Sequence, residues 1–157
     1  MEMHPARYAL VELENIYSPA MVFEPIHRVI TETNPPELLR DIQNICASSG
    51  ICVPWISGDE QGELYLPAAE GQMVVGVLQD FLDEWLAVHP GQLDYIHDLD
   101  AAAAFAKHPG TIAFLLPVMP KSTLFPFVHG GKTLPRKAFS MGHGSEKRYY
   151  LEGRKIK

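Results

Sequence analysis

The chain has 157 residues, 46% of them hydrophobic and 20% charged, with 13 Lys and Arg against 19 Asp and Glu for a net charge of −6. A chain of this size and composition buries roughly 70% of the surface its unfolded form exposes, which excludes an intrinsically disordered protein. No apolar run reaches the roughly 18 residues of a bilayer span, no basic region followed by a hydrophobic one opens the sequence, and two cysteines make no disulfide framework; the expectation is one cytoplasmic domain without a membrane partner.

Residues 7–14 alternate apolar and polar side chains as a strand does, with almost no lead-in. Such an opening fits either a small domain that begins on a strand or the back half of a longer architecture. A second strand is predicted over residues 22–30, where Pro25 calls for an edge position or a bend. Thr33, Asn34, Pro35, Pro36 and Glu37 give an N-cap, first-turn prolines and an acid suited to the helix dipole; Leu38, Leu39, Ile42, Ile45 and Cys46 follow at helical spacing, with Gly50 as the terminator. Residues 51–56 and 63–66 read as a hairpin across the turn-forming segment 57–62.

The longest helix is predicted over residues 72–88. Met73, Val74, Val77, Leu78, Phe81, Leu82, Trp85 and Leu86 repeat every three to four positions, and Gln79, Asp80, Asp83 and Glu84 form the opposite, solvated face. A strand over residues 93–96 precedes an alanine-rich helix capped by Asp98 or Asp100 and stopping before His108. Residues 111–118 are almost continuously apolar, as in a central strand buried on both faces. A short helix over residues 121–129 closes at Gly130 and Gly131, and strands over residues 136–141 and 147–151 join through residues 142–145 as a C-terminal hairpin. These elements make a single α/β domain, with α+β as the variant: a mixed β-sheet with about four helices packed on it. Cys46 and Cys52 read as reduced core residues.

Charge is distributed unevenly. Residues 121–157 carry 9 of the 13 Lys and Arg and only Glu146 and Glu152 as acids, a balance of +7, against −13 for the rest. Glycines in a turn let an anion approach the backbone N–H groups, and flanking cations supply charge-assisted hydrogen bonds. Arg136, Lys137, Ser140, Gly142, His143, Gly144, Lys147 and Arg148 are therefore the candidate anion-binding set. Strand alternation separates Lys147 and Tyr149 from Arg148 and Tyr150, so only one of these pairs can share a pocket. A basic hairpin that is merely solvated is the competing reading, and no phosphate-loop or dinucleotide glycine signature occurs.

Glu24, His27 and Arg28 form a second candidate, an acid, an imidazole and a guanidinium within five residues that suit acid, base and anion-clamp roles. A surface ion pair is the alternative. Glu12 and Glu14 share one strand face and leave a divalent cation open, although solvent exposure is the simpler account. The seven histidines show no zinc-ligand spacing, and no metal site is assigned. Nucleic acid is the weaker partner for an acidic chain without an RNA-recognition motif.

The segments His4–Leu13, Phe23-Glu-Pro-Ile-His-Arg-Val29, Tyr95-Ile-His97, Leu134-Pro-Arg-Lys-Ala-Phe-Ser-Met-Gly142 and Glu146–Ile156 together resemble the bacterial domain-of-unknown-function 1015 family, in the right order and across nearly the whole chain. Family members are longer and carry an upstream Asp-Gly-His/Asn-His segment similar to that of ParB-like and sulfiredoxin-like nucleotide-using folds, including free-serine kinases. That segment is absent from this sequence. The resemblance implies a C-terminal portion that furnishes anion-binding groups while the catalytic motif lies elsewhere, in a family without a settled activity that is sometimes associated with serine metabolism. The expectation is part of a phosphate- or nucleotide-dependent enzyme that binds a small phosphorylated ligand, with a nucleotide or divalent cation left open as cofactor. A non-catalytic module, whose acidic body and basic tail pair between copies as a homo-oligomer, is the alternative.

Overall fold

The structure, a computed structural model, describes residues 15–67 and 72–142. The strands expected over residues 7–14 and 147–151 lie outside the described residues, and with them Glu12, Glu14 and the second half of the C-terminal hairpin.

Proline has no N–H to give a strand ladder. At Pro25 and Ile26 the chain breaks accordingly, into β1 (Phe23–Glu24) and β2 (His27–Thr31). β1 pairs antiparallel with β7 (Ser140–Met141), while β2 lies between β5 (Gln92–Ile96) and β6 (Ile112–Phe114) in a five-stranded sheet. With β3 (Ile51–Ser57) and β4 (Glu60–Leu66) the sheet order is β4, β3, β6, β2, β5, and every recorded pair is antiparallel. Of the two roles expected for Pro25, the bend is observed and the edge is not. The proline falls in the gap between two sheets, so β2 keeps both sides for pairing.

Helices cover both faces of the larger sheet. On one side α1 (Pro35–Ile42) and α2 (Val74–Leu86) bury Leu38, Ile42, Val75, Leu78, Leu82 and Trp85 against Ile30, Val53, Leu64, Ile112 and Phe114. On the other, α3 (Leu99–Ala106) sets Ala102 and Ala106 on Val29 and Ala113. Ile112, Ala113 and Phe114 are therefore buried on alternate faces, as expected of a central strand, though the ladder is shorter than the apolar run. Full burial of each large aliphatic or aromatic side chain contributes about 1.5–3 kcal/mol, so this two-sided core is the main source of stability.

Local chemistry explains the helix starts. Asn34 caps α1 by accepting from the Glu37 N–H at 3.4 Å, and Asp98 caps α3 by accepting from the Ala101 N–H at 2.7 Å. The end of α1 departs from expectation. After one 3₁₀ turn (Gln43–Ile45) the Ala47 N–H donates to the Tyr65 carbonyl at 2.8 Å, so the chain leaves the helix to follow β4. Gly50 serves that approach instead of ending the helix: a Cβ there would stand 2.3 Å from the Leu66 carbonyl oxygen.

The β3–β4 turn is tighter than the polar composition of residues 57–62 implies. Gly58, at φ 62°, and Asp59 make a two-residue connection, and Ser57 pairs with Glu60, Ile56 with Gln61 and Trp55 with Gly62. Past Pro120 the expected short helix forms as a 3₁₀ turn (Lys121–Thr123) running into α4 (Leu124–His129). Arg136 and Lys137 sit in a turn and not in a strand, Lys137 at φ 52°, and β7 begins only at Ser140.

Candidate functional site

Successive residues of a strand face opposite sides, so His27 and Arg28 must act on different layers. Arg28, 0% exposed, points toward α2. Its Nε donates to Gln79 Oε1 at 3.1 Å, Nη1 to the Ile26 and Lys137 carbonyls at 2.6 and 3.0 Å, and Nη2 to the Arg136 carbonyl at 3.0 Å. Its guanidinium carbon also lies 4.9 Å from the Tyr95 ring centroid. Burial pushes its pKa down to about 10, against the opposing influence of Tyr95.

The anion clamp expected of Arg28 is thus occupied by the protein itself. Four of its five N–H groups have protein acceptors, and three of those acceptors are backbone carbonyls. The charge is balanced at one remove: Gln79 Nε2 donates to Asp83 Oδ1 at 2.8 Å, and Arg136 Nη2 pairs with the same oxygen. A closed circuit results, in which Arg28 holds the backbone of Arg136 and the side chain of Arg136 returns through Asp83 and Gln79.

His27, 3% exposed, accepts the Leu116 N–H on Nδ1 at 3.1 Å. Burial lowers its pKa, the neighbouring Arg28 charge adds to the effect, and Asp98 opposes it. An imidazole that must accept from a backbone donor stays neutral and serves as a structural acceptor. Glu24 sits on β1 opposite Ser140 on β7, and the Gly142 N–H donates to the Val22 carbonyl at 2.9 Å with Gly142 at φ 69°. Phe23 stacks on Phe139, ring centroids 4.1 Å apart.

The described part of the basic segment does meet both strands on which Glu24, His27 and Arg28 lie, β1 and β2, but through its backbone. Lys121 donates to the Ser18 and Met21 carbonyls at 2.8 and 3.0 Å, Lys132 lies 5.8 Å from the Phe127 ring centroid, Arg136 pairs with Asp83, and Lys137 is exposed. His143, Gly144, Lys147 and Arg148 lie outside the described residues. Among the described residues no group of three or more His, Cys, Asp or Glu is placed to hold a metal ion, and no helix is long and apolar enough to cross a membrane.

These two anchors frame a cavity of about 470 Å³ between the start of α2, the segment after β6 and α4. Val74, Val75, Leu116, Met119, Phe127 and Ala138 give it an apolar lining, with Gln72, Ser122 and Thr123 as polar groups. His27 fixes the backbone at Leu116, where one wall begins, and Arg28 fixes it at Arg136 and Lys137, next to Ala138 in another wall. Met73, at the N-cap of α2, has no side-chain oxygen for the first N–H groups of that helix, whose positive dipole end borders the cavity.

Sequence reasoning placed Gln79 on the solvated face of α2. It is 3% exposed and lies at the centre of the Arg28 network. Its spacing was the available signal, because four residues after Val75 and three before Leu82 is the buried stripe. Tyr95 gave none beyond its strand. The cavity walls are proline-rich connections with no periodic pattern to mark them.

No protein-family model, no curated protein and no solved structure matches the chain. The likeness to the domain-of-unknown-function 1015 family rests on the five sequence segments alone.

Proposed function

We propose that this domain binds a small organic ligand in the cavity between α2 and α4, with an apolar part inside and an anionic group, most simply a phosphate, at the rim. The observation that carries the reading is the cavity. At about 470 Å³ it has the size and the mainly apolar lining, with a few polar groups, of a small-molecule site. Two strand residues tether its walls to the sheet, and such pre-organisation lowers the ordering cost of binding.

Three features support an anionic end: the α2 N-terminus at the cavity, Lys132 beside Phe127, and the basic balance of residues 121–157. The family resemblance supports a phosphate- or nucleotide-dependent reaction in which this chain supplies binding groups. A thermal-shift panel of nucleotides, phosphoserine, organic phosphates with apolar groups and inorganic phosphate tests the reading. Organic phosphates with an apolar part should raise the melting temperature by mass action, and Ala138→Phe, which fills the cavity, should remove that rise. A rise with inorganic phosphate equal to that with the organic compounds, unchanged in Ala138→Phe, would refute it.

An assembly role is favoured by a different observation. Val118, Phe125 and Val128, on and near α4, are 58%, 53% and 47% exposed, and exposed apolar side chains gathered in one place suit a protein–protein contact. Sedimentation at low and high salt tests this reading: association through that apolar surface should persist as salt rises, whereas pairing of an acidic body with a basic tail must weaken.

A further inference from the structure

The cavity has no titratable side chain in its described lining. Among the described residues, protons therefore act on it through the anchors of its walls, and one of those anchors can itself take up a proton. β6 ends at Phe114, and the Leu115 N–H still donates to the Pro54 carbonyl at 2.8 Å. The next donor, the Leu116 N–H, goes to Nδ1 of His27 at 3.1 Å. Pro117 and Pro120 have no N–H to offer. The following described tie of this stretch to the rest of the molecule is Lys121, which donates to the Ser18 and Met21 carbonyls. Residues 117–120, all of them in the cavity wall, thus hang between an ammonium and an imidazole.

Nδ1 accepts a hydrogen bond only while it carries no proton. A proton there would set two donors face to face at 3.1 Å, at a side chain that is 3% exposed. The groups that act on the imidazole are Arg28, from the opposite side of β2, and His97 and Asp98, from the turn between β5 and α3. Burial, Arg28 and His97 favour the neutral ring, and Asp98 favours the imidazolium. Two arrangements follow: a neutral ring that holds Leu116, and an imidazolium drawn toward Asp98 with the Leu116 N–H released. Resting on the cavity reading above, we infer that His27 is a proton-operated switch on the binding site, whose neutral form holds the wall for the ligand and whose protonated form lets the wall go and the ligand leave.

The test uses hexyl sulfate, whose charge stays constant from about pH 8 to about pH 4, so that the probe does not titrate alongside the histidines. It is titrated into the full chain across that range while NMR follows the His27 ring signals, and melting temperatures confirm that the chain is folded at each pH. Affinity should be constant above the His27 midpoint and fall by up to about tenfold per pH unit below it, as one proton must leave for the ligand to bind. By reciprocity, saturating hexyl sulfate should lower the midpoint itself. His27→Asn, whose Oδ1 can accept the Leu116 N–H without titrating, should keep its high-pH affinity throughout. Asp98→Asn, which can still cap α3, should move the His27 midpoint and the loss of affinity to lower pH together. Affinity that stays flat through the His27 midpoint, a decline that survives in His27→Asn, or a ring that stays neutral until the chain unfolds in acid overturns the inference and leaves the cavity reading standing. If hexyl sulfate binds at no pH, both fall.

Discussion

Arg28 and Arg136 meet across 108 positions of sequence: the buried guanidinium of the first donates to the backbone carbonyl of the second at 3.0 Å, and the side chain of the second pairs with Asp83. The contact joins the central sheet to the segment that walls the cavity, and it uses a cation for a purpose that a neutral donor could not fill as fully. Only a guanidinium presents enough fixed donors for Gln79 and three carbonyls at once.

Removing that side chain should therefore cost more than an ordinary core truncation. Arg28→Met keeps much of the volume but leaves the carbonyls of Ile26, Arg136 and Lys137 without this donor, and urea unfolding should show a loss of about 3–5 kcal/mol. Arg28→Lys retains the charge with a single donor nitrogen and should recover less than half of it. Gln79→Ala shares the network, so the double variant should lose less than the sum of the two singles. Strict additivity would show that the circuit does not act as a unit.

His27 makes stability depend on pH. The folded protein resists protonating an imidazole whose Nδ1 accepts the Leu116 N–H, while the unfolded chain takes up the proton near the ordinary value of 6.5. The stabilisation is fully present above about pH 6.5 and declines as pH falls through the lowered folded value. The Arg28 charge, from the opposite side of the strand, and His97 add to the depression, and Asp98 opposes it. His27→Asn, whose Oδ1 can accept the same N–H without titrating, should flatten the melting temperature between pH 7 and pH 5 relative to the native chain. An unchanged pH slope in that variant assigns the dependence to other groups.

Two glycines separate steric demand from backbone demand. At Gly50 a methyl group would sit 2.3 Å from the Leu66 carbonyl oxygen, so Gly50→Ala must push β4 away and should cost about 2–3 kcal/mol. At Gly58 the space is open but φ is +62°, and Gly58→Ala should cost only about 1–2 kcal/mol. Chemical denaturation of the two variants checks the order. The reverse ranking would mean that the close approach of Gly50 to β4 is not maintained in solution.

Much of this architecture was legible in the residues. The Asn34 and Asp98 caps, the apolar stripe of α2 and the doubly buried run at Ile112 report local chemistry or periodicity, and these survive without knowledge of the fold. The β3–β4 turn is shorter than its composition suggests because Glu60 and Gln61 are polar and exposed while still pairing with β3. The site was less legible. Glu24, His27 and Arg28 were noticed for their reactive groups, yet two of the three are buried as acceptor and donor for backbone partners about 90 and 108 positions away. Nothing in a strand's own pattern reveals a contact at that separation, and charge counting cannot tell a cation that faces a ligand from one that braces a loop.

The location of binding is the point on which the account turns, and backbone amide chemical-shift mapping with hexyl phosphate locates it directly. The account predicts shifts concentrated on Met73, Val75, Phe127 and Ala138, saturating together and lost in Ala138→Phe. Shifts absent from those four amides and confined to residues 143–148 would contradict it, leaving the basic tail as the site and the cavity as mere packing.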